Sequence, residues 1–162
     1  MNKLAVVTGS SGQLGPIWVE TLKEMGYRVA EIDLPETDVR DLDALKQFAF
    51  CLNGTPEVIV LNAAIDHPPD SGASFYGNFN RIMEVNIGGA VNTVEAFMPG
   101  MLGARTGTVI GISSIQGLIG ADWRNYTGLF EKPVGYNCSK AALMQYVRSL
   151  TTQYGRFGIR GC

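Results

Sequence analysis

The sequence predicts an α/β fold with three layers, in which a doubly wound parallel sheet is covered by helices on both faces. Short apolar runs of strand length alternate along the chain with segments whose apolar residues recur at helical spacing. Strands that are apolar throughout are typical of parallel sheets buried on both faces. With 162 residues, 46% of them hydrophobic, the chain is long enough to bury one core, and we expect a single domain over residues 1–162.

The beginning of the chain predicts a β-α-β unit. Residues 4–7 form an apolar strand, a glycine-rich turn follows, and apolar residues recur at helical spacing over 14–25. Gly26 is suited to end this helix, and residues 28–33 predict the second strand.

The same alternation continues through the rest of the chain. We expect a helix over 41–51, a strand over 57–61, a long amphipathic segment over 79–98, a strand over 108–113 and a helix over 136–154. Two stretches, 66–78 and 116–134, interrupt the alternation. Loops of that length beyond the strand ends of such a sheet usually border a ligand crevice, so we expect the substrate there.

Composition and charge exclude several kinds of partner. Thirteen basic and 15 acidic residues give a net charge of −2, which argues against a nucleic acid or a membrane surface held by bulk charge. No stretch approaches the ~20 apolar residues of a membrane span. Cys51, Cys138 and Cys162 have no CxxC spacing and His67 is the only histidine, so we expect no metal site and a reduced, cytoplasmic location.

The turn Thr8-Gly9-Ser10-Ser11-Gly12-Gln13-Leu14-Gly15 carries three glycines at intervals of three between a predicted strand and a predicted helix. Glycine lets the backbone approach a pyrophosphate, whose charge the helix N-terminus favours. Asp33 follows Gly9 by 24 residues, at the end of the second strand, where a carboxylate can bind an adenosine ribose. The alternative is a helix-entry turn that binds no ligand.

The charge of Asp33 favours NAD over NADP, because a carboxylate repels a 2′-phosphate and no Lys or Arg lies in 10–15 or just after Asp33. NADP stays open as the second choice, since Arg40 could fold back towards the ribose.

Tyr136 and Lys140 are four residues apart at the start of a predicted helix, so their side chains emerge on one face. A tyrosine with an ordinary pKa near ~10 is a poor base at neutral pH, and a nearby ammonium group favours the phenolate. This spacing alone is weak evidence, because most such pairs lie on solvated helix faces.

Several motifs occur together in one order along the chain. They are the glycine turn 8–15, Asn62-Ala63-Ala64 after a strand, Asn86 within VNIGG, Ser113-Ser114 at the end of a strand, and Tyr136-Asn137-Cys138-Ser139-Lys140. In this combination the chain resembles the short-chain dehydrogenase/reductase family, in which the asparagine motif follows the fourth strand and the serine pair closes the fifth. The resemblance extends over essentially the whole chain.

The resemblance implies a Rossmann fold and hydride transfer between NAD(H) and an alcohol or carbonyl substrate. By their match to the family motif, Tyr136 exchanges the proton, Lys140 supports it and binds the nicotinamide ribose, Ser114 holds the reacting oxygen, and Asn86 supports a proton relay. The residues implied to bind the cofactor are Gly9, Ser11, Gly12, Gln13, Leu14, Gly15, Asp33, Asp38, Val39, Asn62, Ala63, Ala64, Tyr136 and Lys140. For Asp38, a helix-capping role is the alternative.

The chain departs from the family pattern in three respects. Its glycines follow TGxxGxxG, not the usual TGxxxGxG, and 22 residues separate Ser114 from Tyr136, where about a dozen are usual. The insertion runs over 123–135, and Tyr126-Thr127-Gly128 with Pro133-Val134-Gly135-Tyr136 resembles members that act on sugar nucleotides, so a sugar derivative is a candidate substrate. The family usually continues beyond the segment 158–160, so we expect the last strands of a full-length member to be missing.

Two further expectations follow from the resemblance. Family members commonly assemble through the helices that match 79–98 and 136–154, so we expect a homodimer or homotetramer. The alternative function is a truncated or regulatory nucleotide-binding module without turnover, because a shortened chain could fold around the glycine turn and fail to seat the nicotinamide.

Overall fold

A computed structural model of the chain describes residues 3–66, 74–125 and 132–162. Within these ranges, five strands form one sheet: β1 (Lys3–Thr8), β2 (Tyr27–Ile32), β3 (Val58–Leu61), β4 (Gly107–Gly111) and β5 (Ile159–Gly161). Their order is β2-β1-β3-β4-β5, and every neighbouring pair is parallel. His67 and most of the segment 126–136 lie outside the described residues.

Five α-helices accompany this sheet among the described residues. They are α1 (Gly15–Glu24), α2 (Leu42–Cys51), α3 (Phe75–Met83), α4 (Gly89–Ala104) and α5 (Val134–Tyr154). Side chains alternate between the two faces of each strand, and each face has its own apolar cluster. Leu4 and Val6 belong to the larger cluster with α2, α4 and α5, whereas Ala5 and Val7 belong to the smaller one with Val19 of α1. The predicted three-layer, doubly wound parallel fold is therefore confirmed.

Two details differ from the predicted elements. The long amphipathic segment expected over 79–98 is not one continuous α-helix: it comprises parts of α3 and α4 joined by a π-helical turn, Glu84–Gly88. The strands before Asn62 and Ser113 are the third and fourth of the described sheet, not the fourth and fifth, because α2 is the only regular element described between β2 and β3. The crossover through α2 carries the chain from edge strand β2 past β1 to β3.

The sheet includes a short strand beyond α5. Ile159 of β5 pairs with Gly107 of β4. The Gly111 N–H donates to the Cys162 carbonyl at 2.8 Å, and the Cys162 N–H donates to the Val109 carbonyl at 3.0 Å. None of the helices in the described ranges combines the length and the apolar character that a bilayer crossing needs.

Candidate functional site

The glycine turn after β1 is closely packed. Gly9 has a φ of +64°, and a Cβ atom there would lie 2.8 Å from the Cα of Ala63. A Cβ at Gly15 would lie 2.2 Å from the Gly9 carbonyl oxygen. These approaches leave no room for side chains at Gly9 and Gly15, and they bring the start of α1 close to the end of β1. The first N–H groups of a helix have no intrahelical acceptor, so those of α1 face this strand end.

Hydrogen bonds tie the carboxyl ends of β1 and β3 together. The Asn62 side-chain amide donates to the carbonyls of Thr8 at 3.1 Å and Gly9 at 2.9 Å. The Thr8 hydroxyl accepts the N–H groups of Asn62 and Ala63 at 3.1 and 3.2 Å, and it donates to the Val60 carbonyl at 3.3 Å. Sequence reasoning missed this framework role of Thr8, although the residue stands at the start of the glycine turn.

The Asp33 carboxylate lies where β2 ends and faces the glycine turn. Its Oδ2 accepts the Ser11 N–H at 2.6 Å, and its Oδ1 accepts the Leu34 N–H at 2.9 Å. A carboxylate offers about four lone-pair positions, so each oxygen retains acceptor capacity for hydroxyl groups of a ligand.

Asp38 and Arg40 form a bidentate ion pair beside Asp33. The Arg40 Nη2 and Nε donate to Asp38 Oδ2 at 2.6 and 3.0 Å. These side-chain hydrogen bonds hold the pKa of Asp38 below its ordinary value. The Arg40 side chain is thus bonded to Asp38 and does not extend over the carboxylate of Asp33. The Val39 side chain is buried and packs against the backbone of Gly89 at the start of α4.

Tyr136 and Lys140 lie one turn apart at the start of α5. The Lys140 ammonium donates to the Ile112 carbonyl at 2.6 Å and lies 5.7 Å from the centre of the Tyr136 ring. Lys140 is only 3% exposed. Burial lowers the pKa of Lys140 to about 8, opposed by the charge of Asp66 and assisted by that of Lys132. The geometry therefore presents an ammonium group close to a phenol, as the spacing predicted.

Asn86 lies in the π-helical turn, an element that often marks functional sites. Its side-chain oxygen accepts the Ile65 N–H at 2.8 Å, and its amide nitrogen donates to the Ile65 carbonyl and to the Ser139 hydroxyl, both at 3.0 Å. The Ser139 hydroxyl in turn donates to the Tyr136 carbonyl at 2.8 Å. The side chain of Asn86 therefore connects the loop after β3 to the first turns of α5.

The two serines after β4 have different contacts. The Ser113 hydroxyl donates to the Lys140 carbonyl at 2.9 Å and holds α5 against the strand end. The Ser114 hydroxyl accepts the Gln116 N–H at 3.2 Å and caps the short 3-10 turn Ile115–Gly117. Of the hydrogen bonds that the structure describes, none uses the hydroxyl hydrogen of Ser114, so it can donate to a ligand.

Sequence reasoning missed Lys132 and Asp66. These residues form an ion pair, and the Lys132 ammonium lies 4.5 Å from the centre of the Tyr136 ring. The available signal was the repeated spacing of four residues in Lys132, Tyr136 and Lys140. The contact between Lys132 and Asp66 left no signal in the sequence, since the two residues are 66 positions apart.

One cleft of about 610 Å³ crosses the carboxyl ends of the strands. Every residue predicted to bind the cofactor, including Tyr136 and Lys140, lines it except Gly15, and so do Ser113 and Asp66. The predicted catalytic residues Asn86 and Ser114 are not part of this lining. Among residues 3–66, 74–125 and 132–162, no three His, Cys, Asp or Glu side chains cluster as metal ligands would.

Comparison with known proteins identifies relatives of this chain. The family model described as short chain dehydrogenase matches residues 30–161. An acetoacetyl-CoA reductase from Synechocystis is 27% identical, with 98% of this chain and 68% of the relative covered. A 3-ketodihydrosphingosine reductase from Bacteroides thetaiotaomicron is 24% identical, with 99% of this chain and 61% of the relative covered. The chain thus spans about two thirds of the length of these relatives.

A solved structure has the same fold. A short chain dehydrogenase from Leptospira borgpetersenii, crystallised with bound NAD+, superimposes with a TM-score of 0.86 at 23% identity, covering 99% of this chain and 69% of that one. At this identity the likeness concerns the fold alone.

Proposed function

Because the chain belongs to the short-chain dehydrogenase family, we propose that it transfers a hydride between NAD(H) and the carbon of an alcohol or carbonyl substrate. The observation that carries the proposal is a single cleft that holds the glycine turn and Asp33 as well as Tyr136 and Lys140. Both relatives described above are named as reductases. A small-molecule substrate, with a sugar derivative as one candidate, is part of the proposal.

The residues at the β2 side of the cleft fit a dinucleotide. Close packing at Gly9 and Gly15 holds the start of α1 near the end of β1. There the free N–H groups and the dipole of the helix favour a pyrophosphate. In this proposal the Asp33 carboxylate accepts hydrogen bonds from the hydroxyl groups of the adenosine ribose. Arg40 is held by Asp38, so the cation that would favour a 2′-phosphate is already paired, and this supports NAD over NADP.

The residues at the α5 side fit a proton transfer. When bound, NADH supplies the hydride that adds to the carbonyl carbon. The Tyr136 hydroxyl gives its proton to the carbonyl oxygen, so that C=O becomes CH–OH and the tyrosine is left as phenolate. Lys140 stabilises that phenolate by its charge, and solvent returns the proton. In the oxidative direction, the phenolate takes the proton from the alcohol.

Ser114 and Asn86 have supporting roles in this proposal. The hydroxyl of Ser114 donates a hydrogen bond to the reacting oxygen and polarises the carbonyl. Asn86 holds Ile65 and Ser139, and through Ser139 it fixes the turn of α5 that carries Tyr136. Its side chain is a positioning group, and support of a proton relay by Asn86 stays part of the proposal.

We also propose a cytoplasmic protein that assembles as a homodimer or homotetramer. The three cysteines are free thiols and all are exposed, a state that suits a reducing compartment. Phe75 and Tyr76 of α3 are 77% and 70% exposed, which supports an interface on this helix. Light scattering at micromolar concentration tests the assembly, and a mass equal to the monomer contradicts it.

The function is tested by fluorescence titration with NADH and, in parallel, NADPH, followed by turnover assays with secondary alcohols, ketones and sugar derivatives. Saturable binding with NADH tighter, and turnover of at least one carbonyl substrate, supports the enzyme. Binding without turnover of any substrate favours the alternative, a nucleotide-binding module. Absence of binding in a folded chain contradicts both.

A further inference from the structure

Two ammonium groups lie near the ring of Tyr136. Lys140 is 5.7 Å from the ring centre and Lys132 is 4.5 Å from it. Attraction between a cation and a tyrosine ring extends to about 6 Å. The family motif accounts for Lys140 only. Lys132 comes from the segment between Ser114 and Tyr136, where this chain is longer than the family pattern.

Asp66 fixes the position of Lys132. The two side chains form an ion pair, in which the lysine side chain is 17% exposed and the aspartate side chain 37%. Most ion pairs between described residues are more open: in Lys46–Glu95 the side chains are 49% and 53% exposed. Partial burial reduces screening by solvent, so the field of Lys132 acts on its neighbours more strongly than that of a surface lysine.

The three charged groups form one electrostatic cluster with the phenol. The charge of Asp66 raises the pKa of Lys140, while the charge of Lys132 lowers it. The two ammonium groups therefore repel each other, and the negative charge of Asp66 offsets part of this repulsion. With the phenol neutral, this cluster carries a net charge of +1. The phenolate formed during turnover would bring the net charge of this cluster to zero.

Other charged groups of the cleft lie in different positions. Arg81 of α3 lines the same cleft. Asp33, Asp38 and Arg40 follow β2, which is separated from β4 by two strands, a distance of about 14 Å at the usual strand spacing. Lys132 and Lys140 are charges whose distance to the Tyr136 ring the structure gives, and Asp66 is paired with Lys132.

We propose that Lys132 is a further positioning residue of the proton-transfer centre, a second cation that Asp66 holds against the Tyr136 ring and that favours the phenolate. The proposal rests on the proposed role of Tyr136. It assigns a function to the segment before α5, which supplies the cation, and to the loop after β3, which supplies the anion that orients it.

The pH profile of kcat for alcohol oxidation tests the proposal. In Lys132→Met we expect the pH of half-maximal kcat to rise by about one unit, with kcat at neutral pH about tenfold lower and KM for NAD changed less than about twofold. Lys132→Arg retains the charge and restores the profile. Lys46→Met, which removes a lysine from an open ion pair, leaves it unchanged. An unchanged profile in Lys132→Met overturns the proposal.

A second readout does not depend on turnover. In the full chain labelled with [13Cζ]tyrosine, the NMR signal of Tyr136 is identified by its loss in Tyr136→Phe. We expect this signal to titrate at higher pH in Lys132→Met than in wild type, and at the wild-type pH in Lys46→Met. If this shift occurs without turnover of any substrate, the second cation is supported and the proposed enzyme is not. If turnover is measured and the titration is unchanged, the proposed enzyme holds and the second cation is wrong.

Discussion

The side chain of Asn86 holds the backbone of Ile65 at both of its polar groups, accepting the N–H at 2.8 Å and donating to the carbonyl at 3.0 Å. Ile65 lies in the loop that lines the cleft after β3. Because the same amide also donates to Ser139, one buried side chain joins the cofactor side of the cleft to the helix that carries Tyr136.

The first prediction concerns this connection. Asn86→Ala leaves the N–H and carbonyl of Ile65 without their partner and removes one of the two hydrogen bonds of the Ser139 hydroxyl, and each unsatisfied buried group costs about 1–3 kcal/mol. We expect the free energy of unfolding to fall by about 2–4 kcal/mol in urea titrations, and kcat to fall more than KM for NADH rises. Asn125→Ala, at an exposed position, is the control. Full stability and kcat in Asn86→Ala would refute the positioning role.

The second prediction concerns cofactor choice. Asp33→Asn can still accept the Ser11 N–H but removes the negative charge at the ribose position. Because hydrogen bonds to a charged group are worth about 1.5–3 kcal/mol, we expect NADH to bind about tenfold more weakly or worse. NADPH should bind no more weakly than to wild type. Fluorescence titration measures both affinities. Asp43→Asn on the exposed start of α2 should bind as wild type does, and an unaltered NADH affinity in Asp33→Asn would exclude the assigned site.

The third prediction contrasts two glycines. A Cβ at Gly15 would meet the carbonyl oxygens of Gly9 and Ser10 at 2.2 and 2.4 Å, so Gly15→Ala must displace the turn. We expect a loss of about 1–3 kcal/mol in stability and much weaker NADH binding. At Gly103 in α4 a Cβ would meet nothing within 4 Å, so Gly103→Ala should stabilise the chain by about 0.5–1 kcal/mol. Equal effects at both positions would contradict the packing of the turn.

The fourth prediction concerns pH and the burial of Lys140. Its pKa is about 8 in the folded chain against an ordinary 10.5, so between these values the unfolded chain binds more protons than the folded one. Stability from this group therefore rises as pH increases from about 8 towards 10.5, with a slope of at most about 1.4 kcal/mol per pH unit. Lys140→Met should lack this rise.

Comparing the wild type with Lys140→Met also controls for the titration of Tyr146. Burial also raises the pKa of Tyr146 to about 12, which makes stability fall as pH rises from about 10 towards 12. Tyr146 is present in both chains, so its contribution cancels when their urea midpoints are subtracted at each pH. A constant difference between the wild type and Lys140→Met from pH 8 to 10 would contradict the buried ammonium.

The parts of the fold that depend on local sequence were predictable. The apolar run of β1, the glycine spacing and the start of α1 are neighbours in sequence, so their pattern predicts a strand, a turn and a helix without knowledge of the rest. The π-helical turn at Glu84–Gly88 was not predictable, because apolar residues continue through it at helical spacing. Within this turn, Asn86 contacts Ile65, 21 residues away in sequence, a contact that local pattern does not reveal.

The residues of the candidate site likewise fall into those predictable from local sequence and those that depend on tertiary contacts. Tyr136 and Lys140 are predictable as a pair since one helical turn joins them. The ion pair of Lys132 with Asp66 depends on β3 and α5 lying at the same edge of the sheet, which only the tertiary fold determines. For the same reason, the sequence could not distinguish a reacting Asn86 from one whose side chain is committed to Ile65 and Ser139.

The measurement that tests the central claim most directly is turnover by Tyr136→Phe, with NADH titration of the same protein. The substitution removes one hydroxyl from a position that lines the cleft and leaves the glycine turn and Asp33 unchanged. We expect NADH to bind within about twofold of wild type, and kcat to fall by about 10²- to 10⁴-fold, the usual contribution of a general acid or base. Turnover at the wild-type rate in Tyr136→Phe would contradict the assignment of the proton transfer to this residue.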